Sequence, residues 1–399
     1  MGITIFGGHM ETRMVYDFKD IKYIPGLDGI RFFAVSIVLM SHFGFGKWIP
    51  GGFGVTIFFF LSGFLITTLL IQESQKKGTI SIGNFYIRRF IRLAPEMIIL
   101  LIGSSAIAQS IGLSPSLGDI VAALTYTTNY YIIYLQSVAS DGVAHMWWPH
   151  LWSLAVEEHY YLSFPLIFGP IFKGPKLLLL FFFVSLFGCL VWRYFVIVNE
   201  ISGIDWQHAY GYLASETRFD SIAYGALFAF VAQRPERLSS SASGTTLVAG
   251  LILLLACLIV RDEFFRETLR YSLQGIGIFL VFSHMYLSAS PSWLTRISEF
   301  TPLRIGGVLS YGAYLWHLEF LRLTHHFFNI TPVALPIHQR LPFAVAGFAC
   351  TFAVAWLSYR YIAKPVMRFR ANFGSHTVVG ISNTQPEPVG QTAVPRETF

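Results

Sequence analysis

Two polar side chains bracket an otherwise apolar run near the start of this chain, Arg31 and His42 in RFFAVSIVLMSH. At about 100° per residue, the eleven positions separating them make three turns and about 20°, so on a helix they share a face, roughly 16 Å apart along the axis. An arginine can hold an anion, and an imidazole with a reference pKa of about 6.5 can take a proton from a hydroxyl near neutrality. One helix could therefore grip an anion at one end and act as a base at the other. A plainer use of the same residues is an anchoring cation and an interfacial hydrogen-bonder.

Further polar groups interrupt later apolar runs. FYIRRFIRLAP sets Arg88 and Arg92 four apart, hence on one helical face, where guanidinium forks suit phosphate oxygens and anchoring is the competing use. HLWSLAVEEHYYLSFPL places Glu157, Glu158 and His159 inside a greasy helix. Glu157, flanked by apolar positions, suits an internal acid, base or partner to a histidine, whereas Glu158 or His159 could line a wet pocket. SETRFDSIAYGALF carries Arg218 and Asp220, which could pair or meet substrate, and SYGAYLWHLEF carries His317 and Glu319. His317, alone beside Trp316, reads first as a satisfied core residue. Cys189, Cys257 and Cys350 sit in apolar stretches without metal-ligand spacing, so neither a metal site nor thiol chemistry is expected.

The elements that must position these groups follow from composition. Of 399 residues 54% are hydrophobic and 13% charged, against about 25% charged in soluble domains, and the mean hydropathy is +0.56. This is the composition of an integral membrane protein. The formal net charge of +6 comes from short basic clusters between apolar runs, which orient a chain in a bilayer and form no single face for nucleic acid. Ten segments, from Ile30–Phe45 to Leu341–Tyr361, have close to the length a span needs. An eleventh, Ile120 to Leu135, is short and rich in Thr and Tyr; treating it as a partial or re-entrant element keeps the basic clusters on one side and both termini cytoplasmic. The expected fold is thus all-α, a polytopic transmembrane helical bundle of about ten spans. Residues 1–22 form a polar cytoplasmic segment, too acidic for a cleaved signal, and 371–399, rich in Pro, Gly, Ser and Thr, a disordered cytoplasmic tail. Chemistry is expected within the bundle, residues 23–370.

Six stretches in series, LDGIRFFAVSIVLMSH, GGFGVTIFFFLSGFLIT, FYIRRFIRLAP, LWSLAVEEHYYLSFP, TRFDSIAYGAL and SYGAYLWH, resemble in order and separation the membrane acyltransferase-3 family, whose members O-acylate sugars, lipids and antibiotics. The resemblance runs from Tyr23 to about Arg370. It implies an O-acyltransferase of the bacterial inner membrane, in a stand-alone form without the hydrolase-like domain that members often carry. The donor is acyl-CoA, by default acetyl-CoA, with no permanently bound cofactor, and the acceptor is a hydroxyl of a carbohydrate or glycolipid. Arg31, Arg88 and Arg92 would hold the donor's phosphates, His42 would be the general base, and Glu157 would support the imidazolium as the acidic member of a triad does. Glu158, Arg218, Asp220 and His317 would lie near substrate. Two departures stand out: Thr56 occupies a position where many members have Asp, and His159 and Tyr160 stand where many have Gln and Phe. The competing class is a transporter or channel relaying ions through His42, Glu157, Arg218 and Asp220, against which counts the lack of paired broken helices in two matching halves. An inactive scaffold is a third.

Overall fold

Long apolar runs must satisfy their own backbone polar groups, and at bilayer depth a helix does this within one segment. The computed structural model describes residues 23–138, 146–198, 206–233, 244–288 and 292–370, and its regular elements are all helical. The N-terminal segment 1–22 and the tail 371–399 lie outside the described residues. In chain order the α-helices are α1 Leu27–Met40, α2 Gly51–Lys77, α3 Ile82–Ser110, α4 Leu117–Leu124, α5 Thr128–Val138, α6 Trp152–Lys173, α7 Pro175–Phe183, α8 Cys189–Val198 and α9 Trp206–Leu213. They continue as α10 Phe219–Ala232, α11 Gly244–Ile259, α12 Glu263–Glu267, α13 Leu269–Leu287, α14 Trp293–Ser298, α15 Thr301–Val308, α16 Ser310–Phe328, α17 Ile337–Ser358 and α18 Lys364–Arg370.

Among the described residues, five helical stretches are long and apolar enough to cross a membrane: Leu27–Phe45, Gly51–Lys77, Ile82–Ser110, Lys176–Val198 and Ile337–Arg368; Phe219–Ala232 and Gly244–Ile259 are apolar but shorter. Large apolar side chains such as Leu179, Phe183 and Phe187 face outward, as lipid contact requires. The segment Ile120 to Leu135 is divided between α4 and α5, broken at Tyr126, whose φ is 55°. At 8 and 11 residues, neither piece reaches the roughly 20 residues of a span.

Three local features set the site. First, α1 buries Leu27, Arg31, Ala34, Val35, Val38 and Leu39, one helical stripe, so Arg31 points into the bundle. Its base is pinned where Tyr23 donates to Glu299 at 2.7 Å; burial and that carboxylate push the Tyr23 phenol well above its ordinary range. Second, α1 continues beyond Met40 as a widened π-turn, Ser41–Phe45, that carries His42. Within it Gly44 stands at φ 104°, a conformation for glycine, with a Pro332 carbonyl 2.9 Å from where a Cβ would stand. Third, α2 and α10 meet backbone to backbone, because a Cβ on Gly63 would lie 1.9 Å from the Ile222 carbonyl oxygen and one on Gly225 1.9 Å from that of Phe60. That approach brings Thr56 of α2 against Arg218 at the head of α10. Around it the rings of Phe60, Phe64, Phe228 and Phe282 interlock, Phe60 and Phe282 at 4.7 Å.

Candidate active site

The arginines of α3 open on one side of the bundle. Arg88, Arg89 and Arg92 line a cavity of about 30 Å³, where Arg88 Nη2 lies 3.0 Å from Glu73 Oε2 of α2, both side chains buried. Arg89 and Arg92 also border a neighbouring cavity of about 130 Å³, and Arg31, Glu157 and Tyr161 join them there. Arg31 donates to Asp28 Oδ1, one turn back, at 3.0 Å. The Arg89 guanidinium lies 3.5 Å over the Tyr161 ring and 4.0 Å from Glu158 Oε1. Charge is therefore concentrated here, and each of Arg31, Arg88 and Arg89 is steered by a carboxylate.

The other end of α1 opens on a larger cavity, about 520 Å³, bordered by His42, His150, Trp152, Tyr212 and Tyr314. His42 is exposed to it. His42 Nδ1 stands 3.1 Å from Nε2 of the buried His317, and His317 Nδ1 stands 2.7 Å from the carbonyl oxygen of Tyr314. A carbonyl only accepts, so His317 Nδ1–H donates to it; in the neutral pair His317 Nε2 is then a lone pair, and His42 Nδ1–H donates to that. The chain of two bonds leaves the lone pair of His42 on Nε2, which is the form a general base needs. His150 obeys the same logic: Nε2–H donates to the Leu315 carbonyl at 3.0 Å.

A polar clamp holds these rings. The indole N–H groups of Trp147 and Trp148 donate to Ser104 Oγ at 2.9 and 3.0 Å, and Ser104 donates to Glu319 Oε1 at 2.7 Å. Arg322 ties Glu319 to the Trp147 carbonyl and lies 3.9 Å over the Trp147 ring. Thus α3, the segment before α6 and α16 are fastened around His150 and His317.

Several expected pairings are not those observed. Glu157 does not support His42: it borders the arginine cavity, accepting from Tyr161 at 3.1 Å, and His317 takes the place expected for it. Glu158 faces Arg89. Arg218 and Asp220 do not pair, since Asp220 Oδ2 accepts from Arg193 and Ser272, each at 2.7 Å. Arg218 instead donates to Thr56 Oγ1 at 3.2 Å and stacks 3.8 Å over Tyr271, while its Nε and Nη1 find no hydrogen-bond acceptor. It stands behind Trp152 and Tyr212, which border the histidine cavity. Arg89 and Tyr314 were not singled out by sequence. Arg89 adjoins Arg88 in the same motif, and Tyr314 precedes His317 by three positions in SYGAYLWH, so one helical face already linked them.

A family model described as an acyltransferase domain matches residues 24–360. The chain is 33% identical over 365 residues to the peptidoglycan O-acetyltransferase OatA of Listeria monocytogenes, covering 87% of this chain and 56% of that protein. It is 29% identical to a putative O-acetyltransferase of Staphylococcus aureus strain COL over 89% of this chain and 59% of the relative. With the O-acetyltransferase OatA of S. aureus strain NCTC 8325 it shares 27% over 90% and 60% respectively. The chain thus spans a little under two thirds of each of these relatives. No solved structure matches it.

Proposed function

From the premise that this chain belongs to the acyltransferase-domain family, we propose that it moves an acetyl group from cytoplasmic acetyl-CoA to a carbohydrate hydroxyl at the opposite membrane face. Peptidoglycan is the first acceptor to test, because one relative, that of Listeria monocytogenes, carries that name. In this reading the arginine cavity is the donor side. Arg31, Arg89 and Arg92 meet the anionic donor, and Arg88, held by Glu73, stands beside Arg89 and Arg92. The histidine cavity is the acceptor side. There His42 Nε2 takes the hydroxyl proton as the oxygen attacks the thioester carbon, and returns it to the departing thiolate. General-base assistance of this kind contributes about 10²- to 10⁴-fold. His317, a neutral acceptor for His42 Nδ1–H, fixes the ring and shares the charge of the imidazolium. The ten-span threading with both termini cytoplasmic, in a bacterial inner membrane, belongs to the same proposal.

The observation that carries it is the placement of the two ends of α1, with Arg31 on one cavity and His42 on the other. The test uses the purified full chain in proteoliposomes given acetyl-labelled acetyl-CoA and uncrosslinked glycan strands. Ester-linked label on the strands is expected; label that never leaves the donor, with the protein folded, removes the assignment.

A further inference from the structure

Among the described residues, only Val55 of α2 and Tyr314 of α16 border both the arginine cavity of about 130 Å³ and the histidine cavity. Both are buried, Val55 at 5% and Tyr314 at 6% exposure, so at these two positions the wall between the cavities is a single residue. The phenol is latched. Its hydroxyl donates to the His150 carbonyl at 2.7 Å, and Ser153 Oγ stands 2.7 Å from the Tyr314 hydroxyl oxygen. We propose, resting on the acetyltransferase reading above, that Tyr314 is a gate that decides whether the acyl group reaches an alcohol or is lost to water.

The two reactions differ only in the nucleophile. An alcohol oxygen forms the new C–O bond, the C–S bond breaks, and the hydroxyl proton passes through His42 to the thiolate, giving ester and thiol. Water in the same position gives carboxylic acid and thiol. A thioester lying on the arginine side is shielded from water in the larger cavity while the phenol stays latched. Transfer requires the wall to open, and waste is limited if it opens only when the acceptor has displaced that water.

The latch is built to release without disturbing the base. His317 is held by the backbone carbonyl of Tyr314, not by its side chain, so a rotation about the Tyr314 side-chain bonds leaves the tautomer of the histidine pair unchanged. Nor does release orphan the acceptor left behind, because Ser153 Oγ already stands 3.5 Å from the His150 carbonyl and can take over that bond.

The experiment measures two quantities on the full chain in proteoliposomes: thiol released from acetyl-CoA without acceptor, and label delivered to glycan strands per thiol released when acceptor is present. Tyr314→Phe keeps the ring and removes the latch; acceptor-independent thiol release is expected to rise about ten-fold, and delivery per thiol to fall. Val55→Ala thins the wall without touching a hydrogen bond and should move both quantities the same way by less. Adding His42→Ala to Tyr314→Phe should abolish the excess release. A Tyr314→Phe protein that unfolds at the wild-type temperature in detergent yet leaks no more than wild type overturns the gate. If that variant does not fold, Val55→Ala decides, and a wild-type leak there overturns it equally. Wild-type protein that transfers no label condemns the acetyltransferase reading itself, a different result from a variant that fails to leak.

Discussion

The two ends of α1 solve opposite problems. At the Arg31 end, cations and carboxylates alternate: Arg31 with Asp28, Arg88 with Glu73, Arg89 with Glu158. At the His42 end the two ring partners are neutral, and a carbonyl sets the direction of every N–H. Paired charges hold a fixed place and suit a long anionic ligand, whereas a lone pair poised by neutral acceptors can gain and lose a proton without rearranging a salt bridge. The difference teaches where binding and proton transfer should separate in kinetics.

The largest expected effect is at the histidine end. His42→Ala should lower the rate of acetyl transfer by about 10²- to 10⁴-fold with little change in the apparent KM for acetyl-CoA; a wild-type turnover would remove His42 from the chemistry. His317→Ala should follow, losing roughly ten-fold in turnover because His42 Nδ1–H is left without its acceptor. His317→Gln, which can offer a carbonyl oxygen there, should recover part of it, and equal rates for Ala and Gln would reduce His317 to packing. At the other end Arg92→Ala should raise the apparent KM for acetyl-CoA by about ten-fold at preserved turnover, and by less at high salt, which screens the wild-type attraction. Should Arg92→Ala instead cost turnover alone, the division of labour between the cavities would be wrong.

How far the sequence could reveal this division depends on what helical spacing encodes. Arg31 and His42 were legible because eleven positions return to one face of a single helix, and the α1 geometry keeps that relation. The all-helical class was equally legible, since apolar runs with few charges leave no other element. The number of crossings was harder to read, because α10 and α11 are apolar but only 14 and 16 residues long. An acid and a base in apolar helices invite a pairing of Glu157 with His42, yet spacing within α6 says nothing about which neighbour its face will meet. Five residues beyond Trp152, Glu157 sits roughly 7.5 Å further along the axis, past the Tyr314 wall. For Arg218 and Asp220 the sequence leaves pairing and substrate contact both open, because Arg218 stands just before α10 and only the fold shows Asp220 turning to Arg193 of α8. His317 was undervalued because its partner lies 275 positions away in the chain, where no local pattern reaches.

Arg193 and Arg218 carry the comparison to its smallest expected effect. Both are fully buried, and Arg193 has Asp220, whereas Arg218 has one hydroxyl at 3.2 Å, Thr56, and an aromatic surround. Thr56→Val removes that hydroxyl and should destabilise the protein by about 1.5 kcal/mol, the scale of a hydrogen bond from a charged donor. Thr56→Asp sets a carboxylate at the same distance. Its own desolvation offsets much of the attraction; the Gly52 carbonyl and Gln274 Oε1, which share the Thr56 hydroxyl proton at 3.0 and 3.3 Å, lose that donor, and Gln274 must turn its amide to donate instead. A net gain on the order of 1 kcal/mol is expected, read as a higher unfolding midpoint in detergent. The attraction depends on Arg218, so in an Arg218→Met background Thr56→Asp should become destabilising, leaving a buried carboxylate with no cation beside the Gly52 carbonyl and Gln274. If Thr56→Asp shifts the midpoint equally in both backgrounds, Arg218 is already as well satisfied by its aromatic surround as Arg193 is by its carboxylate.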